Sequence, residues 1–314
     1  MMLRNAEETL QRALNSVEPY VTTIVATLAG ESKDQTEAII RAVTPHVVQR
    51  PWYDDFARSR NELFDYAREV GVSWALLLDA DDTLVDGRQL LPVMHVLDGS
   101  GAMLPIQFGC LKYYQRRIFD LEVEGNWVGR VHETYSCKGD FPRFEHPHIH
   151  HSRGPLAATN QAGRNLRIFQ RWLEEAPGEW GGHTWYGYGN ELWWHHHWTE
   201  AADAYAKTIE LGTWADELYY AYIRRARCLI DTRRWKEAIA ALAEATLVKP
   251  MWKDAYLWMS RIYYNYRQYD LCLELDALAK TKQIPDTTLP VVEPDTYAAH
   301  QDWYVKKATQ LKGQ

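Results

Sequence analysis

The stretch Ser73-Trp74-Ala75-Leu76-Leu77-Leu78-Asp79-Ala80-Asp81-Asp82 constrains this chain most. An apolar run of strand length ends in three carboxylates within four positions. A strand that is apolar on successive residues is buried on both faces, as in a parallel sheet covered by helices. Carboxylates are costly to bury, so the acids belong at the strand's C-terminal edge, where the crevice of an open α/β sheet lies. Asp79 and Asp81 are two apart, so in extended chain they point the same way. Two oxygen donors on one side suit Mg²⁺ or Mn²⁺, and a hard divalent ion suits a diphosphate. The bland alternative is an acidic turn in which Asp82 caps a helix.

The segments before this strand alternate between helix and strand patterns. Asn5 followed by Glu8 resembles a capping box, and Leu10, Leu14 and Val17 continue at helical spacing, so residues 6–17 read as a helix. Only Met1-Met2-Leu3 precede it, which leaves a very short first strand. Tyr20 to Leu28 (YVTTIVATL) reads as a β-branched strand, Thr36 to Val43 as a helix and Val47-Val48 as a short strand. Asp54 or Asp55 caps a further helix that buries Phe56, Leu63, Phe64 and Ala67 and stops at Gly71. Strand–helix alternation predicts parallel strands with right-handed crossovers. After the acids, Leu90 to Val96 reads as a helix, and Met103–Phe108 and Lys112–Phe119 read as strands.

A chain of 314 residues is long enough for two domains. Its net charge of −7 argues against a general nucleic-acid footprint. Cys110, Cys137, Cys228 and Cys272 are scattered and form no CxxC pair, which fits a reducing cytoplasm. No apolar run approaches the roughly 20 residues that span a bilayer. Glu7 and Glu8 interrupt any signal-peptide pattern, so neither membrane nor export is expected.

Three segments in order, NAEETLQRALNSV, DDFARSRNELFDYA and SWALLLDADDTL, resemble the inverting glycosyltransferases of family 2. The resemblance implies a GT-A fold: Rossmann-like α/β, with a mostly parallel sheet. It is strongest to the bacterial and phage type with tetratricopeptide repeats after the catalytic domain. By that resemblance Asp79 and Asp81 match the DxD acids that bind the ribose and the metal–diphosphate, and Asp82 fills a place usually held by Glu. Arg60 and Asn61 match an Arg-Asn pair beside the nucleotide base. In the loop after the second family strand, Ser32, Asp34 and Thr36 align. Ala29 stands where an Asp normally meets the uracil or ribose, and Glu31 is the nearest substitute. Tyr114–Phe119 followed by Trp127–Glu133 is similar to the family's "RlF … G.vHE" pair. Glu133 is then the expected general base, with His132 as runner-up, or the two orient a loop. Arg116 or Arg117 would neutralise the departing diphosphate, with Arg116 preferred.

His146, His148, His150 and His151 crowd into HPHIHHSRG. Related GT-A enzymes take a third metal ligand from a His at the end of the catalytic domain. His150 is the expected ligand beside Asp79 and Asp81, and His151 is second. The implied cofactor is Mn²⁺ or Mg²⁺, and the implied donor is a nucleotide-diphosphate sugar, UDP-sugar favoured.

Past Gly154 the pattern is helical only, starting with Asn160–Glu174. Ala201, Ala238 and Cys272 occupy equivalent small-residue places, close to the ~34-residue spacing of tetratricopeptide repeats. The expected organisation is a GT-A domain over 1–153, a connector over 154–182 with a turn from Pro177, and TPR-like repeats over 183–314. A closing helix starts near Pro294. Trp193, Trp194, Trp198, Trp214, Trp235, Trp252 and Trp258 serve either inter-repeat packing or an acceptor or dimer surface. The repeats point to a macromolecular acceptor, a protein or peptide first and DNA with modified bases second. A different class is a degenerate catalytic domain that leaves a binding scaffold.

Overall fold

The computed structural model describes residues 1–109, 111–152, 163–176, 178–287, 289 and 299–312. The expected border at 153/154, the helix start at Asn160, the turn at Pro177, the helix start at Pro294 and Cys110 lie outside them. The chain divides into two compact units, Met1–Phe169 and Gln170–Gln314.

The first unit opens with β1 (Met2–Leu3), α1 (Glu7–Val17), β2 (Ala26–Ala29), α2 (Thr36–Val43), β3 (Val47–Arg50) and α3 (Phe56–Val70). It continues with β4 (Trp74–Leu76), β5 (Asp82–Val85), α4 (Leu90–Val96), β6 (Gly101–Phe108) and β7 (Leu111–Asp120). β8 (Gly125–Val128), β9 (Thr134–Cys137) and β10 (His148–His151) complete its strands. β1, β2 and β3 form a parallel sheet. A second sheet runs β4-β7-β6-β10-β5, in which β6–β10 is parallel and the other pairs are antiparallel. β4, which leads into the acids, therefore has an antiparallel neighbour, β7.

Successive strand residues feed opposite sides, as the two-residue period of extended chain requires. Leu3, Leu78 and Ile118 join one apolar cluster with Leu10, Leu14 and Ile106. Met2, Leu77 and Phe119 join another with Leu63, Phe64 and Trp127. The strands thus separate two cores. α3 shows its signals plainly: the Asp55 carboxylate accepts from Arg58 N at 2.8 Å, and Gly71 closes the helix in the left-handed region at φ 92°.

Two local expectations change. Asn5 does not cap α1; the loop before α2 does, with Ala6 N donating to Thr36 Oγ1 (2.7 Å) and Glu7 N to Asp34 Oδ2 (3.2 Å). The YVTTIVATL strand shrinks to Ala26–Ala29 after a 3₁₀ turn at Glu18–Tyr20, because none of Val21–Val25 finds a ladder partner.

After α5 (Arg164–Glu175), within which the two units divide, come α6 (Gly182–Trp194), α7 (Trp198–Leu211), α8 (Ala215–Asp231) and α9 (Trp235–Val248). α10 (Asp254–Asn265), α11 (Tyr269–Lys280) and α12 (Ala299–Lys312) follow. From α6 to α11 each helix packs on the next, and α6 also meets α8. Ala201, Ala238 and Cys272 have no exposed surface, as small residues at close helix contacts should. These paired helices form TPR-like repeats.

Candidate active site

The acids do not lie along an extended strand. β4 ends at Leu76, and the chain turns through Asp79–Asp82, with Asp82 N donating to Asp79 O (3.1 Å) and Asp79 N to Asp82 Oδ2 (3.1 Å). This turn sends the carboxylates to different partners. Asp79 meets Arg60 (Nη2–Oδ1 3.3 Å) and Arg117 (Nη1–Oδ2 3.1 Å). Asp82, fully buried, takes Arg117 on Oδ2 (3.1 Å) and His151 Nδ1 on Oδ1 (2.8 Å). Asp81 faces His151 at 3.6 Å. Glu133 takes Arg60 Nε on Oε1 at 2.5 Å. Arg60 therefore joins α3, the acidic turn and the loop after β8 in one network.

Charge explains the titration of these groups. Burial pushes the Asp79 carboxyl up, but Arg60 and Arg117 outweigh it and hold it well below the usual carboxylate range. Burial pushes the Asp81 carboxyl up, and Asp79 and Asp82 reinforce it against His151. Burial lowers His151, yet the hydrogen bond to Asp82 and the charges of Asp81, Asp82 and Asp79 leave it raised. Asp79, Asp82 and Glu133 thus share two guanidiniums, and Asp81 and Asp82 face His151.

Asp81, Asp82 and His151 each bring one ligand atom within 4.8 Å of the others. Two carboxylates and an imidazole fit a divalent ion, and the imidazole makes Mn²⁺ a better match than Mg²⁺, which prefers oxygen alone. The half-buried Asp81, pushed up by burial and by its acidic neighbours, fits a cation as well. Arg60 Nη1 and Arg117 Nε are buried without hydrogen-bond partners.

Several expected residues sit elsewhere. His150 is exposed, and it is the adjacent His151, paired with Asp82 across β10–β5, that reaches the acids. Asp79 faces the arginines instead of the ligand triad. Arg116 turns away to Tyr135 O and the Phe141 ring (4.5 Å), while Arg117 takes the place beside the acids. Asn61 is a backbone clamp: Trp127 N donates to its Oδ1 (2.7 Å) and its Nδ2 to Trp127 O (3.0 Å). Asp34 is occupied by Thr36 and Glu7; burial pushes it up, but these hydrogen bonds prevail and lower it. Glu31 is exposed on the same loop. His132 is exposed in a left-handed conformation (φ 54°), with its ring tilted against Phe169. A second group, Asp86, His146 and His148, lies on the surface at the other end of β10.

In the helical unit the tryptophans divide by role. Trp252 packs on Tyr219 at 5.0 Å, whereas Trp193 and Trp258 alternate with arginines. Arg224 and Arg227 lie over Trp193 (4.4 and 4.7 Å), Arg227 over Trp258 (5.0 Å), and Arg261 over Trp258 (4.7 Å). Trp194 is largely exposed. Among the described residues no helix is long and apolar enough to cross a membrane.

The chain is similar to solved TPR structures at low overall superposition. One is YrrB, a TPR protein with an unusual peptide-binding site (18% identity, 50% of this chain and 73% of that one, TM-score 0.37). Others are MamA (16%, 50% and 77%, TM-score 0.39) and the TPR2B domain of yeast Sti1 in its pHsp70 complex (25%, 39% and 90%, TM-score 0.32). No curated protein matches the chain. Residues 1–118 match the model for glycosyl transferase family 2. The N-terminal part of this chain is therefore a domain of the glycosyl transferase family 2, followed by TPR-like helical repeats.

Proposed function

We propose that the protein is a metal-dependent inverting glycosyltransferase that moves a sugar from a nucleotide-diphosphate sugar, UDP-sugar favoured, to a macromolecular hydroxyl. The buried cluster of acids, arginines and His151 at the end of β4 is the observation behind this reading. Asp81, Asp82 and His151 would hold Mn²⁺, and we assign the third ligand to His151 in place of His150. When bound, the ion supplies positive charge against the diphosphate. Arg117 and Arg60 hold Asp79 ionised, and Arg117 keeps Asp82 in place beside it. Arg117, which contacts the acids, would neutralise the departing diphosphate in place of Arg116. Glu133 is the proposed base: Arg60 engages Oε1, and the acceptor proton passes to Oε2. The acceptor oxygen bonds to C1 as the C1–O bond to the diphosphate breaks, which inverts the anomeric centre.

We place the catalytic part in 1–153, the connector in 154–182 and the repeats in 183–314, acting in the cytoplasm. The acceptor proposed first is a protein or peptide. The exposed Trp194 and the arginine–tryptophan ladder support an extended acceptor surface on the repeats. DNA with modified bases ranks second, because a net charge of −7 disfavours it. Ala29, in place of an acid beside the nucleotide, supports a second reading as a binding scaffold without catalysis. Thermal unfolding with UDP-sugar and Mn²⁺, added singly and together, separates the two: an upward shift that needs both supports transfer. Asp81→Ala should keep the fold and abolish transfer and donor hydrolysis; unchanged turnover rejects the assignment.

A further inference from the structure

The ladder between β5 and β10 carries metal-binding residue types at both ends. At one end His151↔Asp82 belongs to the acidic turn, and at the other the last pair is His148↔Val85. Continued one step, the antiparallel register sets Asp86 across from Pro147, between His146 and His148. Pro147 has no N–H to donate, so backbone pairing stops there and only side chains can tie the two segments further. Asp86 Oδ2 lies 3.3 Å from His146 Nδ1 and 3.9 Å from His148 Nδ1. The two imidazole rings stand edge to face with centroids 6.1 Å apart.

The Asp86 carboxylate is not used in capping: the 3₁₀ turn Gly87–Gln89 begins without a side-chain cap. Among the described residues its ion-pair partners are the two imidazoles and no Lys or Arg. Lys112, on β7, is held by Glu145 at 2.7 Å. Asp86 and His146 are exposed and His148 is half-buried, so an ion reaches the group from solvent without any opening of the fold. Zn²⁺ at about 2.0–2.1 Å from tetrahedral ligands sets neighbouring ligand atoms about 3.3 Å apart. The Asp86–His146 spacing has that value, and a small rotation of the exposed Asp86 side chain brings the His148 spacing to it. The donor set also selects among ions. Two imidazoles and one carboxylate suit Zn²⁺, whereas the acidic turn offers two carboxylates and one imidazole, a harder set that suits Mn²⁺. The two groups are three ladder steps apart, about 10 Å at roughly 3.4 Å per residue, so one ion cannot serve both.

We propose that Asp86, His146 and His148 form a second metal site, a Zn²⁺ clip that closes the open end of the β5–β10 ladder. Water fills the position that the three side chains leave. The site does not depend on the proposed transfer reaction. By fastening the ladder at one end, the ion steadies the strand that carries His151 to the acids at the other.

The test uses the full chain carrying His151→Ala, which removes the imidazole of the acidic turn and isolates the outer group. Titration calorimetry with Zn²⁺ should give one equivalent bound, and Mn²⁺ should bind at least tenfold more weakly. Adding His146→Gln, His148→Gln or Asp86→Asn should each weaken Zn²⁺ at least tenfold, since even outer partners of ligands matter by about that much. Asn accepts the left-handed backbone of Asp86 (φ 57°), so that variant changes the ligand and not the turn. His150→Gln should stay within twofold of its parent. X-ray absorption at the zinc edge should show two imidazole nitrogens and no sulfur. Bound Zn²⁺ should slow amide exchange at Thr83–Val85 and Ile149 at least tenfold. The inference is overturned if the chain takes up no Zn²⁺, if the three variants bind it as tightly as their parent, if sulfur enters the coordination shell, or if exchange in the Zn²⁺-bound chain is unchanged.

Discussion

Arg117→Met is the sharpest test of the acidic cluster. Arg117 is 7% exposed, and its guanidinium serves Asp79, Asp82 and the Leu77 carbonyl at 3.1–3.3 Å. Met keeps most of the side chain's volume and removes the charge. Two carboxylates, one fully buried, then lose their common cation. Breaking a buried pair by removing one partner costs about 3–5 kcal/mol. For a unit of this size that lowers the unfolding temperature by about 6–20 °C. The pH dependence gives a second signature. Asp79 is held below the ordinary carboxylate range, so its contribution is present above about pH 4 and is lost as pH falls through its lower folded value. The gap between wild type and variant should be widest near neutral pH and narrow below about pH 4. Calorimetry measures both effects, and Arg117→Met combined with Asp82→Asn should recover part of the loss. A loss under about 1 kcal/mol at pH 7, or a gap that does not change with pH, refutes the reasoning.

Removing His151 with Ala should weaken Mn²⁺ binding at least 10-fold, since even outer partners of metal ligands matter by 10–100-fold; His150→Ala should leave it near wild type, and titration calorimetry compares them. His151 has a raised folded value, so its stabilising contribution is complete below about pH 6.5 and is lost as pH rises through that value. In the metal-free protein, the stability difference between wild type and His151→Gln should therefore shrink on alkalinisation, as followed by denaturant titration. In the helical unit, a Cβ on Gly189 would fall 2.8 Å from the ring of Tyr205, which is fully buried with its hydroxyl donating to Asn190 Oδ1. Gly189→Ala should cost about 1–3 kcal/mol by overpacking, seen as a lower unfolding temperature for that unit alone.

What the sequence shows clearly is what depends on local chemistry. The Asp55 cap, the Gly71 stop and the Thr36–Val43 helix appear where their residue types place them. The apolar run before the acids and the small residues at 201, 238 and 272 also read directly. The site residues that moved share one cause. Arg116 versus Arg117 on β7 and His150 versus His151 on β10 are each one-position slips on a strand, where neighbouring side chains face opposite ways. Which of the two faces the acids depends on pairing with β4 and β5, which no local pattern encodes. Asp34 illustrates another limit: its loop motif suggests a ligand, while its oxygens are held by Thr36 and by the first turn of α1. The segment Val21–Val25 has the composition of a strand, yet no strand register among the described residues includes it.

The alternation of rings and guanidiniums from Trp193 through Arg227, Trp258 and Arg261 to Tyr304 crosses from α6 to α12 without a break. Repeat arrays held only by neighbour contacts can come apart one module at a time. Here Trp258 is shared by Arg227 of α8 and Arg261 of α10, and Arg227 also lies over Trp193 of α6, so the loss of one plane exposes a charge held by the next. Such an array is expected to melt as one body, and not by peeling from an end.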